Sequence, residues 1–191
     1  MLTPTTELDA VNTMLSVIGE APVNTVEDNG IVDAVLALQI LRSTSREVQA
    51  RGWHFNTEKN YPLTPDTDGF LVLPNTVLRA DTVDSSSDID VVVRGNRLYN
   101  RRDHTFQFEK EVYVDMVILL EFDELPEPAR HFITIRSARI FQERVVGSES
   151  LSAFTKQDEA RAFVILNEME ADTADYNILT DNYSVARVLN R

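Results

Sequence analysis

Residues 90–99 read Asp-Val-Val-Val-Arg-Gly-Asn-Arg-Leu-Tyr. Three β-branched residues in a row favour an extended chain. Gly95-Asn96 supplies a two-residue hairpin turn, and Leu98-Tyr99 begins the return strand. Outward from this hairpin, helical spacing is missing from Trp53 to about Phe122, and turn signals multiply at Pro62, Pro65, Asp68-Gly69 and Pro74-Asn75. Phe70–Leu73 and Thr76–Leu78 are short extended runs, Phe106 and Phe108 alternate, and Val112, Val114 and Met116–Leu120 form one long, mostly buried strand. Residues 53–122 therefore read as an inserted antiparallel β lobe.

Helical patterns lie on both sides of it. Thr3-Pro4 and Thr6-x-x-Asp9 are start signals, an N-cap before proline and a capping box. Leu8, Val11, Met14, Leu15 and Ile18 then share one helix face, and Gly19 stops it. A second helix runs from about Ile31 to Arg51 on Ile31, Val35, Leu38, Leu41 and Val48, with Ser45 interrupting the stripe and Gly52 ending it. Leu125-Pro-Glu-Pro128 opens a third, carried by Phe132, Ile133, Ala138, Ile140, Phe141 and Val145 to Gly147. A fourth starts near Ser150 or Ser152, carries Phe154, Phe163, Val164, Leu166 and Met169, and ends near Tyr176. The expected fold is α+β: a four-helix bundle core from residues 1–52 and 123–176, the first helix pair packed on the second. The β-rich insertion falls between the second and third helices, and residues 177–191 form an extended C-terminal tail.

The chain has 191 residues, a net charge of −13 and no cysteine. It is long enough to bury a core without disulfides. A protein that holds nucleic acid through its overall field is basic, so a DNA-binding module built on the hairpin arginines is the weakest reading. Without cysteine there is no disulfide, thiolate zinc site or cysteine nucleophile. The longest apolar runs fall far short of the roughly 20 residues of a membrane span. The N-terminus has no signal-peptide pattern, so a soluble cytosolic protein, or one assembled there, is expected.

Motifs for chemistry are scarce. His54, His104 and His131 show no metal-ligand spacing, and there is no G-x-S-x-G, G-x-G-x-x-G or P-loop. Asp103-His104 are adjacent, which on a strand points them to opposite faces. Asp81, Asp84, Asp88 and Asp90 lack calcium-loop spacing. No catalytic, cofactor or metal residue is expected. A tail-associated carbohydrate or cell-wall hydrolase is kept as the alternative, with Glu109, Glu111 and Asp115 as its carboxylates.

Two charge features stand out. Of 18 basic residues 15 are arginine, the cation suited to bidentate and interfacial ion pairs. Arg94, Arg97, Arg101 and Arg102 crowd the hairpin. Glu168, Glu170, Asp172 and Asp175 crowd the end of the fourth helix, where negative charge opposes the helix dipole. If one copy supplies the arginines and the next the acids, the head-to-tail contact closes a ring.

Specific words then carry a resemblance. Ala10-Val-Asn-Thr-Met-Leu-Ser-Val-Ile-Gly-Glu-Ala-Pro-Val-Asn-Thr-Val-Glu27, Arg51-Gly-Trp-His-Phe-Asn56, Phe122-Asp-Glu-Leu-Pro-Glu127, Asp158-Glu-Ala-Arg161 and Tyr176-Asn-Ile-Leu179 resemble the tail tubular protein A family of short-tailed bacteriophages. That resemblance implies a structural virion protein assembled in the host cytoplasm: a twelve-subunit adaptor or gatekeeper ring joining the portal protein to the tail nozzle protein. Tail fibre protein docks at the junction, and DNA passes through without specific binding. It implies no enzyme activity, no cofactor and no membrane partner. Within such a ring the tail would contact the portal through Tyr183, Val185, Val188 and Leu189 as apolar anchors and Arg187 and Arg191 as charged ones.

Overall fold

The computed structural model describes residues 3–26, 30–83, 88–147 and 149–173, with the backbone alone over 149–154. The elements, in chain order, are helices α1 (Glu7–Val17) and α2 (Val32–Gln49), strands β1 (Thr57–Leu63), β2 (Val77–Thr82), β3 (Val91–Arg94), β4 (Arg97–Asn100) and β5 (Val112–Ile118), and helices α3 (Glu127–Val145) and α4 (Glu149–Thr173). They divide into two compact units, one from the described parts of Met1–Leu41 and Pro126–Arg191, the other from Arg42–Leu125.

In the helical unit, α1 starts at the second of its two signals. Thr6 is the N-cap, and its hydroxyl and backbone amide both engage Asp9 in a capping box. Ala10, Val11, Met14 and Leu15 are its buried face. The Asn12 amide brackets the backbone of Val23, donating to its carbonyl at 3.0 Å and accepting from its N–H at 2.8 Å. That holds the segment after Gly19 against the helix. Glu127, in the first turn of α3, accepts from the backbone N–H and hydroxyl of Thr5, while Arg130 donates to the Thr5 carbonyl at 2.8 Å. The start of α1 is thus pinned to the start of α3.

Helix α3 is the hub. It packs extensively on α1 and on α4, and it buries Phe132, Ile133, Ala138 and Phe141 at 4% exposure or less. Phe132 meets Phe163 of α4 with ring centroids 5.3 Å apart. Beside this contact, Glu159 of α4 takes both Arg136 (3.1 Å) and Arg139, and Arg139 also reaches Glu143 at 2.8 Å. The pairing is half-buried, and desolvation is partly offset because Glu159 accepts charge-assisted hydrogen bonds from two arginines, one on each oxygen.

The α+β class holds, but the expected four-helix bundle with a β-rich insertion does not. Among the described residues α2 has no comparably extensive contact with another helix, and from Arg42 onward it belongs to the β unit. Its orientation also differs from the apolar stripe read in the sequence. Ala34, Ala37, Ile40, Leu41, Thr44, Ser45, Val48 and Gln49 are buried, while Ile31 and Val35 face solvent. The reason lies in close packing. Small alanines and hydrogen-bonded polar residues allow near approach, and a hydrophobicity pattern does not score them.

In the β unit, the three-stranded sheet has order β1-β5-β2, all antiparallel, and β3-β4 form a separate hairpin. Central β5 turns Val112, Val114 and Met116 inward and ends at Ile118, whereas a mostly buried strand continuing to Leu120 was expected. Edge strand β1, which contains Pro62, was not expected as a strand; proline is tolerated at a sheet edge because its missing N–H faces away from the ladder. Leu63, Leu71, Leu73, Ala80, Leu98 and Phe108 complete the core.

The end of α2 is locked to the end of β5 by two buried amides. Gln49 donates to the Leu120 carbonyl at 3.0 Å and accepts from its N–H at 2.8 Å. Asn56 donates to the carbonyls of Gln49 and Ile118, both at 2.9 Å, and accepts from the Trp53 N–H at 2.8 Å. The Trp53 indole donates to the Val48 carbonyl at 2.8 Å. Gly52 makes the turn at φ +80°, where a Cβ would lie 3.0 Å from Val117 and 3.1 Å from Arg79. Residues 51–56 are therefore a structural lock.

Two expectations follow. Asn56→Ala removes three hydrogen bonds to the backbone of Gln49, Trp53 and Ile118, of which the Gln49 carbonyl keeps the Gly52 N–H, and should lower unfolding free energy by about 2–4 kcal/mol in urea titration, whereas the exposed Glu58→Ala should stay within about 0.5 kcal/mol. Equal effects would remove the lock. The second concerns acid. Burial raises the Glu127 carboxyl, but the Thr5 hydrogen bonds and the charges of Arg130 and His131 outweigh it and hold the carboxyl below its ordinary range. Its contribution is then present at neutral pH and lost as pH falls from the ordinary glutamate range through that lowered value. Glu127→Gln should flatten the acid limb of a stability-against-pH curve; an unchanged limb would mean the pin contributes nothing.

Candidate assembly surfaces

The four hairpin arginines divide into two pairs. At the turn, the Arg94 guanidinium lies over Tyr99, 3.7 Å from the ring centroid, and that of Arg97 lies over Phe70 at 4.3 Å. Tyr99 is itself braced edge-on by Phe106 at 4.9 Å. The geometry comes from the ladder: Arg94 and Arg97 are cross-strand partners flanking Gly95-Asn96, and Leu73 donates to the Asn96 carbonyl at 2.8 Å. Neither arginine has a carboxylate partner among the described residues. Stacking fixes the plane of each cation and leaves its N–H edge open.

Arg101 and Arg102 are turned to local use. Arg101 pairs with Asp90 at 3.5 Å, and its N–H donates to the Asp90 carbonyl at 2.7 Å. Arg102 donates to the Asp88 carbonyl. These two tie the hairpin to the segment before it. The residues missed in the sequence are Tyr99 and Phe70: Tyr99 pairs with Val92, two residues before Arg94, and Phe70 lies two residues before Val72, which bridges to Arg97, so each stack is diagonal and shows only once the pairing is known.

Glu168 and Asp172 are exposed on α4 and Glu170 is half-buried; no basic residue lies in the last turn. Asp175 and the portal-contact residues Tyr183, Val185, Arg187, Val188, Leu189 and Arg191 lie outside the described residues.

The same unit carries exposed apolar side chains on two helices. On α2, Ile31, Val32 and Val35 are 44%, 78% and 41% exposed, and Gly30, Val32, Val35, Leu36 and Gln39 line a shallow apolar groove. On α4, Val164 and Ile165 are 54% and 48% exposed.

The residues considered for chemistry are dispersed. His54, His104 and His131 are exposed. Asn100 occupies Asp103, donating to its carboxylate at 2.8 Å, so Asp103 is held by the turn rather than by His104. Asp115 accepts from the Asn60 N–H at 2.8 Å, and Glu111 accepts from Thr64 at 3.2 Å. Glu109 is exposed. Among the described residues no group of three acidic or histidine side chains is arranged to hold a metal ion. No described helix is long and apolar enough to cross a membrane.

Exposed charged and apolar faces are what a protein that acts by assembly presents. The comparisons agree with that character. The profile of the tail tubular protein family matches residues 8–176. Tail tubular protein A of Klebsiella phage KP34 is 28% identical over 163 residues, covering 85% of this chain and 86% of that protein. The chain belongs to the tail tubular protein family and is a structural protein of a bacteriophage tail.

Proposed function

We propose that this protein is the ring-forming adaptor of a short tail, joining the portal protein to the tail nozzle protein and forming part of the conduit through which DNA is ejected. The observation that carries the reading is the length of the family match, from residue 8 to residue 176, which takes in both compact units. A tail component of this family acts through contacts with other tail components. The net charge of −13 suits a wall past which DNA must slide, because a basic lining would hold phosphates and stall the genome. Tail fibre protein docks at the junction, and the C-terminal residues Tyr183–Arg191 reach the portal.

In this reading neighbouring copies meet head to tail. Arg94 and Arg97 form the basic half of the contact, since their guanidiniums are oriented by Tyr99 and Phe70 and have no carboxylate partner among the described residues. Arg101 and Arg102 contribute less because each already serves Asp90 or Asp88. Glu168, Glu170 and Asp172 form the acidic half.

The test is negative-stain electron microscopy of the purified protein, alone and with the portal of its own phage. A twelve-fold ring seated on the portal is expected; a chain that stays monomeric and ignores the portal overturns the proposal. Arg94→Glu with Arg97→Glu should weaken assembly at least tenfold in mass photometry, and Arg101→Glu with Arg102→Glu should weaken it less. The reverse order would move the contact to the far end of the hairpin.

A further inference from the structure

Arg94 and Arg97 do not stand alone on the hairpin. The segment before β2 extends the ladder: Val72 bridges Arg97, and the Leu71 carbonyl accepts from the Leu98 N–H at 3.0 Å. Leu71, Leu73 and Leu98 turn into the core, at 3% exposure or less, while Val72 turns outward and is 46% exposed. The outward face therefore carries one row across three chain segments, Val72–Arg97–Arg94. Neighbouring strands lie about 4.8 Å apart, so the row sets one apolar residue and two cations at about 0, 5 and 10 Å. Half-buried Phe70 and Tyr99 support the two guanidiniums. Arginine braced by aromatic rings beside an exposed aliphatic is the composition of a protein–protein contact.

Helix α4 presents a complementary row. Ile165, Glu168 and Asp172 are all exposed and fall within about 60° of one another on an α-helix. At about 1.5 Å per residue they stand at about 0, 4.5 and 10.5 Å along its axis. One apolar residue and two anions thus repeat the spacing of one apolar residue and two cations. The arginines are neighbours across the ladder and not along a strand, so a helix that meets both crosses the strands. Its direction is set by Arg161, one turn before Ile165 on the same face. With Asp172 towards Arg94, Arg161 falls beyond Val72, where it keeps Asp158 at 3.6 Å. Reversed, Arg161 lies over Arg97, cation on cation.

We infer that this outward face of the hairpin is the docking site for α4 of a second copy of this chain, with Val72 opposite Ile165, Arg97 opposite Glu168 and Arg94 opposite Asp172. Exposed ion pairs contribute little alone. Here each cation is held by a ring, and the apolar contact beside it excludes water. The two faces differ and lie on one chain, so the contact is heterologous and propagates from copy to copy into a closed ring. This rests on the ring reading above and gives its contact an apolar centre and a register.

The natural chain has no cysteine, so engineered pairs report without background. Val72→Cys with Ile165→Cys in one chain, treated on the portal with a short bifunctional maleimide, should give a ladder of covalent multimers in denaturing gels. Each single variant should give none, because neither position meets itself. Both positions are exposed, and unchanged circular dichroism checks that the variants fold. Arg97→Glu and Glu168→Arg should each weaken assembly about tenfold in mass photometry, and the two together should return it to within about threefold of the natural chain. Arg94→Glu with Glu168→Arg should not recover, because those positions are not opposed; equal recovery overturns the register. Rings visible by microscopy with no ladder, or with a ladder but no recovery, overturn the inference and leave the adaptor reading standing. A cross-link confined to single chains overturns it in favour of a contact within one copy, and a dimer from Val72→Cys alone in favour of a two-fold contact through the hairpin. Absence of any ring with or without portal overturns both.

Discussion

The end of β5 is the place on which the β unit depends. At Ile118 and Leu120 the central strand runs out, and its backbone groups turn from ladder partners to side-chain partners. Two amides from the end of α2 meet them: Gln49 matches both polar groups of Leu120, and Asn56 bridges Ile118 to the last turn of the helix. Both side chains are almost fully buried, at 0% and 3% exposure, where an unmet hydrogen bond costs most. An amide has one donor face and one acceptor face, so it fits a peptide group in only one orientation. The lock therefore sets where helix ends and sheet begins as well as adding stability. Gly52 is forced by the same geometry, since the chain must turn at positive φ directly over Val117.

The parts of this fold legible in the sequence are those governed by local rules. The β3-β4 hairpin follows from its turn residues, the start of α1 from the Thr6–Asp9 box, and β5 from its run of apolar residues. What stayed hidden was set by distant partners. Strand β1 looks like loop because Pro62, Asn60 and Lys59 are poor strand formers, yet pairing with β5 overrides them. The buried face of α2 was misplaced because Thr44, Ser45 and Gln49 score as polar, and their burial becomes visible only once hydrogen-bond partners as far off as Leu120 are known. The four-helix bundle failed for the same reason. Periodicity shows that a helix has an apolar side, but not which element covers it.

The candidate assembly surfaces were legible as composition and not as geometry. An excess of arginine over lysine is visible in the sequence, but the arginines do different work. Arg136 and Arg139 are committed to Glu159 inside the helical unit. Arg101 and Arg102 serve the segment before the hairpin. Arg94 and Arg97 alone among these are presented outward on aromatic supports. Each use draws on the planar, multi-donor guanidinium, which lysine cannot supply. Clustering in sequence thus overstated the common purpose of the four hairpin residues.

Two adverse features of the isolated chain have the same kind of remedy. Helix α4 ends in acidic residues with no basic residue in its last turn, against the sense of its dipole. Ile31, just before α2, and Val32 and Val35 at its start are in water. Scattered apolar residues on a surface need no explanation, but three within one turn and a half of helix form a patch. A monomer would be improved by exchanging them for polar residues, and the acidic end by a lysine. Their presence in this tail protein is accounted for if the working state is the assembled one, in which these costs are met by a neighbour rather than by the chain itself.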